Sequence, residues 1–349
     1  MTSIEQIALE TGCSQTTVRR VLRGGNKEVW SGAAERASQI RKAARELGFL
    51  PNASAAAMKT GRFNSLLLVL SAERGRSYLP ELLLHSLCTA LEEAEQHLTI
   101  GRFTDEALTS SESLPTFLRR WSCDGALVNY TDRFPSHIND LLRQYRIPLI
   151  WMNAPFDADC VKYDELRGGR DAARLLLEKG HQKIAYVDLR HKSGDDPHYS
   201  TPLRRAGYQS AMTKAGLAPA QTLELGDLSG AEQTAHLTKW LRSGERPTGI
   251  VTYDRAERIL LAAAAAGIRV PEDLSIVTFG DGHSEYAGVS VTHMALPYEE
   301  AGRVAVSALM KKIEHADQSM QIKPLALTVF QGETCTRPQE RALHKKTKN

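Results

Sequence analysis

The sequence is poor in cysteine, has no long apolar run, and carries almost no excess of either charge. Its five cysteines, at positions 13, 88, 123, 160 and 335, form no CxxC pair. That pattern points to reduced structural thiols and away from a zinc site or a disulfide framework. No window approaches about 18 consecutive apolar residues, so no membrane span is expected. The opening MTSIEQIALE has neither a basic leader nor an apolar centre, so no secretory signal is expected. HExxH, GxxxxGK(S/T) and GxSxG are all missing. His181, His191, His198, Asp195 and Asp196 invite a metal or acid–base reading, but none of these motifs supports it. The expectation is therefore no metal, no cofactor and no catalytic residue.

What the chain does have is an uneven distribution of charge. The net charge is only +3 over 349 residues, yet residues 1–62 hold ten Lys/Arg against five Asp/Glu. The remaining residues hold 34 against 36. A basic N-terminal module on a near-neutral body fits a reader of polyanions joined to a domain that reads something else. With 42% hydrophobic and 24% charged residues the composition is that of a folded globular chain.

Ile4–Leu22 organises the module. Ile4, Ile7 and Ala8 share one helical face, Thr11 and Gly12 end that helix, and Ser14 caps a second. On the second helix Gln15, Thr16, Arg19, Arg20 and Arg23 fall within an arc of roughly 140°, with Thr17, Val18 and Val21 on the other side. An ordinary hairpin with a solvated basic face is the plainer alternative. The outward set suits DNA: arginine grips guanine O6/N7, glutamine pairs with adenine, and neighbouring polar groups hold phosphates. A third helix is expected over 33–47, with Ala37, Ile40, Ala44 and Leu47 inward. Beyond Phe49-Leu50-Pro51-Asn52, residues 53–59 favour helix but have almost nothing to pack on, so they would order only against a partner. Met58 is their one large apolar projection and a candidate minor-groove wedge; a plain linker is the alternative.

From Ser65 onward, short apolar runs alternate with helical patterns. The runs are 65–70, 124–130, 147–153, 183–189, 248–253 and 274–281. The helices are expected near 82–94, 138–145, 168–179, 204–215 and 255–266. This is the punctuation of parallel β-α-β sheets, and some 260 residues of it imply two similar lobes around a cleft. Ligands bind beyond the carboxyl ends of such strands, so the loops at 71–78, 153–157, 188–204, 253–254 and 280–283 are the ones to watch.

The chain as a whole resembles the LacI/GalR family of bacterial transcription regulators, essentially end to end. IEQIALETGCSQTTVRRVL resembles the family's helix-turn-helix and ELGFLPNASAAAMKTGR its hinge. CDGALV, IPLIWMN, LLLEKGHQKIAYV, RRAGYQSAMTKAGL and GIRVPEDLSIVTFGD resemble segments of the effector-binding body. The resemblance implies an α/β chain: an all-α helix-turn-helix module at 1–50, a hinge at 51–62, a two-lobed periplasmic-binding-protein-like body of parallel sheets with helices on both faces at 63–340, and a basic tail at 341–349. It places Gln15, Thr16 and Arg20 at base-reading positions, and Thr17 and Asn52 where the family meets the phosphate backbone or sets the hinge. Met58 stands where a leucine usually wedges into the operator, and Arg19 replaces a usual serine as a further cation. In the body, Arg204 matches the ligand-gripping arginine and Asp164 a cleft acid. Tyr253-Asp254 stands where Asn-Asp is common, and Gly280-Asp281 where Asp-Asp is common. An amide and a carboxylate are thereby lost, while Tyr253 and Tyr78 offer aromatic walls.

The expected function is a ligand-responsive regulator, a repressor in the first instance. It would bind a palindromic double-stranded operator as a homodimer and a sugar-like small-molecule effector in its cleft. No leucine heptad follows Arg337, so no further coiled coil is expected. A solute-binding protein of the periplasmic type is the alternative; the basic module and the lack of a leader speak against it. A cytoplasmic location with no membrane partner follows.

Overall fold

The computed structural model describes residues 3–22, 31–49, 61–106, 123–130, 147–192, 196–218, 221–281, 285–286 and 288–339. Arg23, Asn52, Met58, the helix expected near 138–145, Asp195, His283 and the basic tail lie outside the described residues. The chain divides into two compact units, Met1–Phe63 and Asn64–Asn349.

The first unit contains three described helices. α1 (Ile4–Thr11) starts at a capping box: Ser3 Oγ accepts from the Gln6 amide while Gln6 Oε1 accepts from the Ser3 amide. It stops at Gly12, whose φ of 63° is left-handed and favours glycine. α2 (Gln15–Leu22) begins where Ser14 Oγ accepts the Thr17 amide at 3.2 Å, and α3 (Ser31–Glu46) follows. Ile7, Val18, Val21, Ala37, Ile40, Ala43 and Ala44 form the core, with Ile4, Ala8 and Leu47 packed partly against it. The expected faces of all three helices are therefore the buried ones. α3 begins two residues earlier than its apolar spacing suggests, because Ser31 and Gly32 add no apolar position to the pattern.

In the second unit, β1 (Ser65–Ser71), α4 (Glu81–Glu93), β2 (His97–Phe103), β3 (Gly125–Asn129), β4 (Leu149–Met152) and β5 (Cys160–Val161) build one lobe. α5 (Glu165–Glu178), β6 (Ile184–Asp188), α6 (Ser200–Lys214), β7 (Thr222–Glu224), α7 (Gly230–Arg242), β8 (Gly249–Thr252), α8 (Ala256–Ala266), β9 (Ser275–Gly280), β10 (Glu285–Tyr286), β11 (Val289–Ser290) and β12 (His293–Ala295) build the other. α9 (Tyr298–Glu314) then returns to the first lobe and β13 (Thr328–Phe330) to the second. The first sheet has the order β2-β1-β3-β4-β5 and is parallel throughout; the second has the order β13-β12-β9-β8-β6-β7, with only β13 antiparallel. Central strands such as β3, β4, β6 and β8 are buried at every position, as parallel strands covered on both faces must be. This is the α/β architecture expected from the alternation of apolar runs and helices.

Two close approaches fix the helices. A Cβ on Gly169 would overlap the Arg204 carbonyl, and one on Gly207 would overlap the Leu166 carbonyl. α5 and α6 therefore touch backbone to backbone. In the first lobe a Cβ on Gly302 would overlap Ser86, so α9 lies directly on α4. The later segment that crosses back is tied by Lys312, whose ammonium donates to both Asp159 oxygens at 2.9 Å and to the Gln318 carbonyl at 2.8 Å. A parallel bridge pairs Tyr163 with Leu325 between the lobes.

β2, β7, α7 and α9 are not announced by the strand–helix punctuation. β2 is an edge strand whose residues alternate irregularly between buried and exposed, and α9 belongs spatially to strands more than 140 residues earlier.

Candidate functional site

The carboxyl ends of β1, β4, β6, β8 and β9 converge on a cleft of about 390 Å³ between the two lobes of the body. Ser77 and Tyr78 line it from the first lobe with Asn153; Glu165, Arg190, His198, Ser200, Arg204, Tyr253, Asp254, Arg255, Phe279 and Asp281 line it from the second. The loop after β1 is pinned from below. Ser77 Oγ donates to the Asn129 carbonyl at 2.6 Å, and Asn129 Nδ2 donates to the Tyr78 carbonyl at 2.8 Å. Tyr78 is thereby held at the mouth, 57% exposed, where its hydroxyl donates across to Asp281 Oδ2 at 3.2 Å. Burial, and then Asp281, push its phenol pKa up.

Arg204 is the best-held charge in the cleft. Its Nε and Nη2 donate to the two Glu165 oxygens at 2.6 and 3.0 Å, and both residues are buried. Its guanidinium lies 4.1 Å from the centroid of the Phe279 ring and 4.8 Å from that of Tyr253. Burial alone would lower the Arg204 pKa, but the Glu165 carboxylate and the Tyr253 phenol more than offset it and shift it upward. A bidentate pair stacked between rings is a fixed piece of wall. It leaves Nη1, 3.5 Å from the Tyr253 carbonyl, as the guanidinium nitrogen least engaged by protein.

Beside it runs a line of short hydrogen bonds. The Tyr253 hydroxyl lies 2.8 Å from Ser200 Oγ, which lies 2.7 Å from His198 Nδ1. His198 Nε2 meets the Asn153 carbonyl at 3.1 Å, and the Tyr199 hydroxyl donates to Asn153 Oδ1 at 2.8 Å. Asn153 sits at φ 55°, a left-handed conformation that asparagine tolerates better than most side chains. Its carbonyl and its amide oxygen are both taken up by the opposite lobe. On the next strand Asp254 is raised to about 6 by burial, against the opposing pull of Arg190 and Arg255. Its Oδ1 is buried without a hydrogen-bond partner among the described residues.

Of the five residues expected at the ligand, the structure gathers Tyr78, Arg204, Tyr253 and Asp281 in the cleft. Asp164 is not among its lining residues. It caps α5 instead, its Oδ1 accepting the Arg167 amide at 3.1 Å. The cleft acid is its neighbour, because one step along a helix turns the side chain by about 100°. Glu165 carries no sequence signal of its own, while Asn153 and Ser200 lie in loops expected after the apolar runs but are not singled out within them. His198, which the sequence offers as a metal or acid–base residue and places within the 188–204 loop, belongs to this wall, and no metal-binding cluster of His, Cys, Asp or Glu occurs among the described residues. His181 bonds Thr248 Oγ1 and the Thr336 carbonyl, a structural role in the loop before β6.

In the N-terminal unit Gln15, Thr16, Arg19 and Arg20 are exposed on one face of α2, while Val18 and Val21 are buried on the other. Thr17 is half-buried and shares a hydrogen bond with Ser14. Arg19 Nη2 donates to Gln15 Oε1 at 3.3 Å, one turn away, so the unusual arginine also orients the glutamine amide.

Residues 173–335 match a periplasmic binding protein-like domain. The chain is 26% identical over 339 residues to the HTH-type transcriptional repressor PurR of Klebsiella pneumoniae, covering 93% of this chain and 95% of that one. It is 24% identical to the ribose operon repressor of Escherichia coli K12, covering 94% and 98%. The crystal structure of the lac repressor dimer bound to operator and the anti-inducer ONPF superposes with a TM-score of 0.73 at 18% identity, covering 96% and 99%. The two repressor matches and the lac repressor superposition span both the helical module and the body, and no helix among the described residues is long and apolar enough to cross a membrane. Along nearly its whole length, then, the chain is similar to transcriptional regulators of the LacI family.

Proposed function

We propose that the protein is a ligand-responsive repressor that reads a palindromic operator as a homodimer and senses a sugar or related small polar metabolite in the cleft of its body. The observation that carries this reading is the division of α2 into a buried apolar face and an exposed face of Gln15, Thr16, Arg19 and Arg20. A helix so divided presents donors and cations to base edges and phosphates. Asn52 and Met58 enter the reading as hinge and wedge on the strength of the family resemblance alone. The cleft supports a ligand of many hydroxyls: its walls combine rings with carboxylates, guanidinium groups and hydroxyls. A ligand that stabilises one arrangement of the two lobes changes operator affinity by the difference in its own affinity for the two states. The reading assigns no catalytic role and a cytoplasmic location. A solute-binding function without DNA has no use for the exposed face of α2.

The test is to incubate the purified protein with sheared genomic DNA at near-physiological salt and sequence what is retained. A few sharp peaks sharing a palindrome are expected, and Arg20→Ala weakens binding to them about 10- to 100-fold, the loss of one good base contact. Binding to unrelated DNA falls far less, and both fall steeply with salt. No enrichment, with or without cell extract to supply an effector, overturns the reading.

A further inference from the structure

The hydrogens along the cleft wall can be ordered from atoms that leave no choice. The Asn153 carbonyl only accepts, so His198 Nε2, 3.1 Å away, carries a proton. The Ser200 backbone N–H only donates, and it points at His198 Nδ1 from 3.4 Å, so Nδ1 is the bare nitrogen. Ser200 Oγ, 2.7 Å from that bare nitrogen, must donate to it. A serine hydroxyl has one hydrogen, so toward Tyr253, 2.8 Å away, Ser200 can only accept. The Tyr253 proton is therefore committed to Ser200.

We propose that Tyr253 meets the bound ligand as an obligate hydrogen-bond acceptor, its polarity set by His198 through Ser200, so that the cleft selects ligands with a hydroxyl or amine N–H at that point. The proposal rests on the reading of the cleft as the effector site and deepens it. The asparagine common at this position in the family offers a donor and an acceptor together. The phenol, locked from behind, offers only lone pairs. A carbonyl, ether or carboxylate oxygen of a ligand placed there would face another lone pair, and a site built for a donor discriminates strongly against its absence. Burial lowers the imidazole pKa, in the direction that favours the uncharged ring; Arg204 and Arg190 act in the same direction, and the Asn153 carbonyl and Glu165 act against them. Asp196 and His191 line the small pocket on its far side. Ser200 and Tyr253 are both buried, so water does not readily replace either partner in the Tyr253–Ser200–His198 chain of bonds.

The test has an arm that needs no ligand. Long-range proton–nitrogen correlation spectra of the full-length protein at pH 7, with His198 assigned by comparison with His198→Gln, are expected to show a neutral ring protonated at Nε2. The Nδ1 resonance should shift in Ser200→Ala. A ring protonated at Nδ1, or charged at pH 7, overturns the proposal. The second arm titrates pentoses and hexoses with their amino-deoxy and fluoro-deoxy analogues, since a C–F group can accept but not donate. For the sugar that binds, fluorination at one position should cost about tenfold or more in affinity, while the amino analogue there is tolerated. Ser200→Ala frees the phenol proton and should narrow that fluorine penalty to within about threefold, a change that mere loss of packing would not produce. Fluoro analogues that bind as well as the parent sugar at every position overturn the proposal. Silence of the whole panel counts instead against the sugar reading of the cleft, and the imidazole spectrum still decides the proton order.

Discussion

The face of α2 and the wall of the cleft are two recognition surfaces made on opposite plans. On α2 the residues that fold and the residues that recognise are different ones: Val18 and Val21 are buried, while Gln15, Thr16, Arg19 and Arg20 stand in solvent. In the cleft they are the same. Arg204 and Glu165 are buried to 6% and 1% exposure, stitch α5 to α6, and also line the cavity. The difference teaches where function and stability can be separated by mutation. Arg20→Ala should cost operator affinity and leave stability alone, because an exposed side chain on a helix contributes little to folding. No single change at Glu165 or Arg204 can do the same.

The sharpest way to break this contrast is Glu165→Ala. It leaves a guanidinium buried between Phe279 and Tyr253 with no carboxylate, and the expected loss is about 3–5 kcal/mol in denaturant unfolding. Adding Arg204→Met should recover much of that loss, since a well-packed apolar group can replace a buried ion pair without penalty. If Glu165→Ala costs less than about 1 kcal/mol, the pair does not hold the lobe and the cleft resembles α2 after all.

A second test works on the module. Its core is Ile7, Val18, Val21, Ile40 and three alanines, so it has little apolar volume to lose. Ile40→Ala removes a fully buried side chain at a cost of about 2–5 kcal/mol. The expected calorimetric outcome is a lowered or absent transition for the N-terminal unit and an unchanged one for the body, with operator binding lost. Arg20→Ala, run in parallel, should lose binding with both transitions intact. A shift of the body transition in Ile40→Ala would mean the two units do not fold independently.

The same contrast explains what was legible before folding. A helix sorts its faces by a fixed angle, so the sequence alone separates Arg19 and Arg20 from Val18 and Val21. Strand ends were legible as well, because runs such as KIAYVDL and TGIVTY stop where β6 and β8 stop, and the loops after them do line the cleft. The partners inside the cleft were not. Glu165 meets Arg204 across 39 positions of sequence, Asn153 meets His198 across 45, and Ser200 meets Tyr253 across 53. No local spacing encodes those pairs. They follow from α5 and α6 touching at Gly169 and Gly207 and from the two lobes closing on Asn153. Asp164 shows the limit in miniature: the loop and the chemistry were legible, but the choice between adjacent acids depended on where the helix begins.

The finest test is Asp254→Asn, because this carboxylate adjoins Tyr253 in the cleft wall yet has no hydrogen-bond partner at Oδ1 among the described residues. Its pKa is raised by burial from an ordinary 3.8 to about 6, so the folded state holds the proton more tightly than the unfolded chain. Between those values the folded state binds more protons, and stability contributed by this group falls as pH rises through the window, the full penalty being present above 6. Asparagine has no proton to lose and escapes that penalty. The side chain is still 28% exposed, so solvent screens part of the roughly 3 kcal/mol that two pKa units represent. The advantage of the variant over the parent should therefore grow by about 1–2 kcal/mol between pH 4.5 and 7.5, read by urea unfolding at each pH. All other carboxylates cancel in that difference. A flat difference would mean Asp254 is charged and satisfied in the folded cleft, with Arg190 and Arg255 closed over it. An advantage that grows with pH and vanishes when an effector is bound would mean that the ligand supplies the donor this oxygen lacks.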